Sequence, residues 1–242
     1  MTTIRVATYN IHKGVQGLGP ARRLEIHNLV HAVEQFDADI ICLQEVRSHH
    51  RKLERYFTRW PDLDQAGYLS PEGYESVYCT NAVTRHGEHG NAVLSRWPVV
   101  SSGHADVSDH RFDQRGLLHV SVLVDGIEVH VVVVHLGLIH ASRERQVARL
   151  GAFIEREVPA DTPLVVAGDF NDWGARLLRP MDALGLKTFE GIRLPTFPAR
   201  LPLLHLDRIY ARGLRPLSAH VPHGKARARM SDHLPLIAEL AL

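Results

Sequence analysis

The feature that most constrains this chain is a set of short, nearly continuous apolar runs, each stopping abruptly on a polar side chain. IRVATYN (4–10), ADIICLQEV (38–46), VHVVVVH (129–135) and TPLVVAGDF (162–170) are rich in β-branched residues and short for helices. Runs apolar at both odd and even positions read as strands covered on both faces, so a sheet alone cannot bury them. Between the first two runs, Leu24, Ile26, Leu29, Val30, Val33 and Phe36 recur at helical spacing, which predicts a helix from Arg22 to Phe36 with Pro20 just ahead of its start. The opening is strand, helix, strand.

Further along, KLERYFTRW is a candidate short helix ahead of a Pro/Asp-rich loop, and strands are expected at 74–79, 91–95, 99–107, 116–124 and 127–135. Asp125-Gly126 is the strongest hairpin signal in the chain. Ser142 is placed to cap a helix reaching about Glu157, with Val147, Leu150, Phe153 and Ile154 on its inner face. Pro163 belongs at the entrance of the 162–170 strand. A short helix near 175–184 and strands near 206–210, 214–221 and 235–241 complete the pattern. One α/β domain spanning 1–242 buries these runs most simply: two mainly antiparallel sheets packed face to face with helices outside. An open parallel sheet needs more crossover helices than this chain offers.

Composition excludes little else. With 28 Lys+Arg against 27 Asp+Glu, the net charge of +1 points to no partner by itself. Cys42 and Cys79 lie in apolar runs rather than in a CxxC pair and read as free thiols. The start MTTIRVATYN has no basic segment followed by an apolar one, and the apolar run at 129–139 is too short for a membrane and is interrupted by His130 and His135. The expectation is a soluble, cytoplasmic protein that meets a membrane surface only as substrate.

The chemistry lies in the strand ends. Asn10, Glu45, His135, Asp169 with Asn171, Asp207, and Asp232 with His233 all flank apolar runs. Singly, each has a local explanation as a turn or cap residue. Gathered at one rim they become a set of hard oxygen donors with two imidazoles, suited to Mg²⁺, with Mn²⁺ as the alternative, and able to orient an attacking water. GxSxG, P-loop and HExxH motifs are absent.

YNIHKG (9–14), LQEV (43–46), GNAVLSR (90–96), HLG (135–137), GDFN (168–171), LDRIY (206–210) and SDHLP (231–235) together resemble the endonuclease/exonuclease/phosphatase superfamily, in that superfamily's order and over essentially the whole chain. NIHKG, GNAVLSR and GDFNDW are most similar to a subgroup of small bacterial members, the YbhP-like type. The resemblance implies a DNase I-like four-layered α/β sandwich and metal-dependent hydrolysis of a phosphoric ester. It makes Asn10, Glu45 and Asp232 metal ligands and Asp169, with Asn171, the group that activates water. His233 oriented by Asp207, and His135, become the phosphate-facing imidazoles, with the acid between them left open. Arg115 is either a phosphate contact or a salt-bridged neighbour of Asp113. Asn91 shapes the phosphate pocket, and Lys13 either reaches its mouth or is solvated. The expected substrate is a phosphodiester of nucleic acid, served by the basic stretches 51–59 and 225–229, or a lipid headgroup or other small-molecule diester beside an apolar lip formed by Phe197, Leu201, Leu203 and Leu204, or a sugar or inositol monoester, for which no distinctive basic pocket is seen. For those four apolar residues, core packing is the first reading and the lip the second. A chain that had lost catalysis would show a gap among Glu45, Asp169, Asn171, Asp232 and His233, and there is none.

Overall fold

The computed structural model describes residues 2–189 and 191–242. Its elements are β1 (Thr3–Asn10), β2 (Val15–Gln16), β3 (Arg23–Leu24), α1 (Ile26–Glu34), β4 (Ile40–Val46), α2 (Arg51–Tyr56), α3 (Gln65–Leu69), β5 (Glu75–Thr84), β6 (Gly87–Ser95) and β7 (Val99–Asp106). There follow β8 (Gly116–Val124), β9 (Ile127–His135), α4 (His140–Glu157), β10 (Leu164–Asp169), α5 (Leu178–Ala183), β11 (Asp207–Arg212), β12 (Arg215–His220), α6 (Arg227–Met230) and β13 (Leu236–Ala241). One sheet has the order β12-β13-β1-β4-β6-β5 and the other β11-β10-β9-β8-β7. Pairing is antiparallel except for β1 beside β4 and β9 beside β10. Those parallel pairs need crossovers, and α1 and α4 supply them.

Period-two alternation divides each strand between two layers. Ile4 and Val6 of β1, Ile40 and Cys42 of β4, Val129, Val131 and Val133 of β9, and Val165 and Ala167 of β10 fill the space between the sheets. On the reverse faces, Ala7, Tyr9, Ile41 and Leu43 pack with Ile26, Leu29 and Val33 of α1. Val132, Val134 and Val166 pack with Val147, Leu150, Phe153 and Ile154 of α4. Three apolar layers between four structural ones explain the consecutive apolar residues, since each fully buried Val, Leu or Phe contributes about 1.5–3 kcal/mol. The architecture is the expected four-layered α/β sandwich.

The inward rows do not end in apolar residues. Beyond Val6, β1 continues its row as Thr8 and Asn10; β9 continues as His135 and β10 as Asp169, while β11 enters with Asp207 ahead of Ile209 and Ala211. A polar layer separates core from rim: Gln44 Nε2 donates to Thr8 Oγ1 at 3.1 Å. Asn91 Nδ2 donates to Gly116 O and Val133 O of the opposite sheet at 3.1 and 3.3 Å.

Several local expectations are corrected. Helix α1 starts at Ile26, not Arg22, because Arg23 and Leu24 pair with Val15 and Gln16, and Pro20 sits in a 3-10 turn. Buried Glu25 holds that start by accepting from Arg23 Nε (3.0 Å) and Asn28 Nδ2 (2.8 Å). Ser142 does not cap α4, which begins at His140; its hydroxyl donates to Asp109 Oδ2 at 2.7 Å. The Pro/Asp-rich loop contains α3, capped by Asp64 Oδ1 accepting from Gly67 N. Strands β5 and β6 extend to a turn at Arg85-His86, past a stretch too polar to read as strand. The Asp125-Gly126 turn has φ of 49° and 85°, as the hairpin signal requires. Cys42 and Cys79 are free. Among the described residues no helix is long and apolar enough to cross a membrane.

Candidate active site

The carboxyl ends of both parallel pairs reach one edge of the sandwich, where β11 and β13 enter antiparallel, and the polar row ends meet there. Asp169 is central. Its Oδ2 accepts from Asn10 Nδ2 at 3.1 Å, a bond that joins the two sheets, and its Oδ1 accepts from Asn171 N at 2.9 Å. Asn171 Nδ2 in turn donates to Leu136 O. The Nε2 atoms of His135 and His233 lie 3.5 and 3.7 Å from Asp169 Oδ2. His233 Nδ1 donates to Asp207 Oδ2 at 2.8 Å, and Ser231 Oγ bridges the two ends by donating to Asn10 O and accepting from His233 N.

Glu45 reaches the site through a defect in β4. Between Leu43 and Val46 the strand spends three steps against two of β6, the extra residue of a β-bulge, and Glu45 takes a φ of 57°. His12, Lys13 and Asn171 also have positive φ, so among the described residues four of the seven non-glycine ones in this conformation belong to the site. Each costs of order 1–3 kcal/mol and persists where packing over-determines it. Strain is concentrated at this polar rim.

Glu45 Oε2 pairs with Lys13 Nζ at 2.6 Å, and His12 Nδ1 lies 3.2 Å from Asp232 Oδ1 and 3.9 Å from Glu45 Oε2. Burial opposes ionisation of Glu45, yet Lys13, His135 and His12 hold its carboxyl well below the usual range. Asp232 is lowered in the same manner, His12 outweighing burial. Burial raises Asp169, against the pull of His233 and His135. Burial and the Arg115 guanidinium push His135 down to about 4, whereas Asp207 and Asp169 outweigh burial and hold His233 up to about 10.

Near neutrality the site thus pairs a neutral imidazole with a cationic one. In metal-free protein, carbon-13 NMR of the rings should show His233 as imidazolium at pH 8 and His135 as neutral at pH 6. Because the His233 pKa is raised above its unfolded value, its stabilisation is complete below about pH 6.5 and is lost as pH climbs toward 10. A His233 titration near 6.5 would contradict this geometry.

The structure gathers Asn10, Glu45, His135, Asp169, Asn171, Asp207, Asp232 and His233, and it brings Lys13 to Glu45. Arg115 takes the salt-bridged alternative, with Nη2 paired to Asp113 at 2.8 Å, and its Nη1 lies 3.4 Å from both ring nitrogens of His135. Lys13, Glu45, His89 and Arg115 share a cleft of about 430 Å³. Asn91 departs from its expected role. It is fully buried with its amide donors on backbone carbonyls, so it ties the sheets together beneath the site rather than facing phosphate. His12 and Ser231 join the cluster without having been singled out by residue type. Both lie inside quoted motifs, but His12 is one of 17 histidines and Ser231 acts through its main-chain contacts.

Two groupings could hold a cation. Ligand atoms of Asp169, Asp207 and His233 lie within 4.8 Å of one another, although His233 spends Nδ1 on Asp207 and carries a proton. Glu45 and Asp232 are oxygen donors whose charge is met here by Lys13 and His12, and Asn10 Oδ1 accepts from His12 N at 3.0 Å.

Residues 7–233 match the model of the endonuclease/exonuclease/phosphatase family. The chain is 37% identical over 248 residues to YbhP of Escherichia coli K12, an uncharacterised protein, covering 99% of this chain and 97% of that one. Among solved structures it resembles an endonuclease/exonuclease/phosphatase from Beutenbergia cavernae, with TM-score 0.76, 20% identity and coverage of 99% and 72%. It also resembles D. rerio TDP2 complexed with single strand DNA product, with TM-score 0.71, 15% identity and full coverage of both chains. On the match over residues 7–233 and the 37% identity along nearly the whole of both chains, the chain belongs to the endonuclease/exonuclease/phosphatase family of enzymes that act on phosphoric esters.

Proposed function

We propose that this protein is a divalent-cation-dependent phosphodiesterase in which Asp169 accepts the proton of the attacking water. The observation that carries the reading is one buried carboxylate set against two imidazoles of unlike charge, next to the acidic pair Glu45 and Asp232. Burial makes Asp169 more basic than an exposed aspartate, and Asn10 Nδ2 with Asn171 N fixes the direction of its oxygens. The His233 cation is turned by Asp207 so that Nε2 points to the rim beside Asp169, where it would meet the negative charge that grows on a phosphoryl group bound there. His135, neutral and backed by Arg115, supplies a second hydrogen bond to phosphate or leaving oxygen.

Glu45 and Asp232, with Asn10 as a further oxygen donor, fit Mg²⁺, or Mn²⁺, by their hard oxygens, and a bound cation would take over the charge neutralisation that Lys13 and His12 supply to the two carboxylates. A cation held there polarises the phosphoryl oxygen and stabilises charge on the leaving group.

A nucleic-acid strand is the favoured diester. The likeness to TDP2 complexed with a DNA strand supports it, as do the exposed Lys225 and Arg229 on the segment leading into His233. A lipid headgroup is the second reading, favoured by a specific feature: the Phe197 ring lies 4.9 Å from that of His233, and its loop leaves Leu201 and Leu203 65% and 59% exposed instead of packing them in the core. Hydrolysis of bis(p-nitrophenyl) phosphate, a single-stranded oligonucleotide and phospholipid vesicles should require Mg²⁺ or Mn²⁺ and stop in EDTA. Cleavage unaffected by EDTA would sink the proposal, and the preferred substrate decides between the two diesters.

A further inference from the structure

Strand β11 presents different chemistry on its two faces. Asp207, Ile209 and Ala211 look into the inter-sheet space, whereas Arg208 and Tyr210 alternate to the outer side and line a cleft of about 650 Å³ beside α5. Arg208 is only 5% exposed, and among the described residues no carboxylate lies within ion-pair reach of it; its Nε has no hydrogen-bond partner. Tyr210 is 1% exposed and its buried hydroxyl is also unpartnered. So is the Nε2 of His205, on the same wall. Burial, with the charges of Arg208 and Arg193, pushes His205 down to about 4.

Native proteins rarely leave such groups unpaired, because a buried donor or charge without a partner is costly. The guanidinium and the phenol can both donate, and Arg179 and Arg193 add positive charge at the opening. Asp182, the carboxylate on the described wall, is already paired with Lys187. Among the described residues the cleft offers Arg208 no paired anion, and a guanidinium fork matches phosphate oxygens two at a time. Leu178, Phe189 and Ile192 supply an apolar wall opposite.

We propose that this cleft binds a phosphate monoester carrying an apolar or aromatic group, at a site separate from the catalytic rim. Titration calorimetry of the full chain in EDTA, with phenyl phosphate and separately with inorganic phosphate, tests it. Phenyl phosphate should bind one to one and more tightly than inorganic phosphate. Arg208→Gln should weaken it about tenfold or more, Tyr210→Phe several-fold, and the exposed pair Arg179→Gln/Arg193→Gln measurably. Tyr210→Phe removes only an unpartnered hydroxyl, so it keeps the test valid if Arg208→Gln fails to fold. His135→Ala, at the catalytic rim, should leave the affinity unchanged. Absence of binding up to about 10 mM, wild-type affinity in both Tyr210→Phe and the double variant, equal affinity for the two ligands, or loss of binding in His135→Ala would each overturn the proposal.

Discussion

Asp169→Asn is expected to lower kcat on a phosphodiester by about a thousandfold or more and to lower stability by about 1–3 kcal/mol, because the new Nδ2 cannot accept from Asn10 Nδ2. Loss of a positioned general base removes roughly 10²–10⁴ in rate, and a thousandfold corresponds to about 4 kcal/mol of transition-state stabilisation. An amide of the same shape still accepts from Asn171 N and fills the same buried volume, but it cannot take a proton from water. It also removes the negative charge that lies 3.5 and 3.7 Å from the two imidazoles, so the His233 pKa should fall as activity does. Single-turnover kinetics with a melting curve measures both. A variant within tenfold of wild type would assign proton transfer elsewhere.

The largest expected loss of stability is at Gly168, one residue before that carboxylate. Its φ is 149°, and a Cβ there would lie 1.9 Å from Val134 O and 2.8 Å from its carbonyl carbon. Gly168 is the point at which β10 runs directly alongside Val134 of β9 in the parallel pair that delivers His135 and Asp169 to the rim. Gly168→Ala must either push β10 from β9 or strain the backbone. Overpacking and an unfavourable conformation together predict about 3–5 kcal/mol of destabilisation by urea unfolding. Gly126→Ala is the control: its φ is 85°, but nothing lies within 4 Å of an added Cβ, so only the conformational cost of about 1 kcal/mol remains. Equal losses at the two positions would show that the close approach at Val134 does not matter.

Much of the architecture was legible because burial on both sides of a strand leaves a local mark. IRVATY, DIICL, HVVVV and LVVAG had to be inner strands of a layered protein, and helical spacing between them had to mean crossovers. The same period of two extended the inward rows onto Asn10, His135 and Asp169, which is why their types and positions could be read before any coordinates. Where local pattern was weak, prediction failed. The polar outer half of the β5–β6 hairpin did not look like strand, Ser142 looked like a cap while serving Asp109, and the apolar residues Leu201 and Leu203 turned outward.

The sequence by itself therefore determined the strand faces, the crossover helices and the chemical class of the strand ends, since these follow from local spacing and residue type. Only the tertiary structure decided that Asn10 and Asp169, 159 residues apart, share a hydrogen bond; that a bulge turns Glu45 inward; that His12 links Glu45 to Asp232; and that Asn91 serves the sheets instead of the substrate. It alone left Arg208 and Tyr210 buried with donors to spare. Those outcomes depend on which sheet edges meet and how closely, and contacts between residues so far apart along the chain leave no period in it to read.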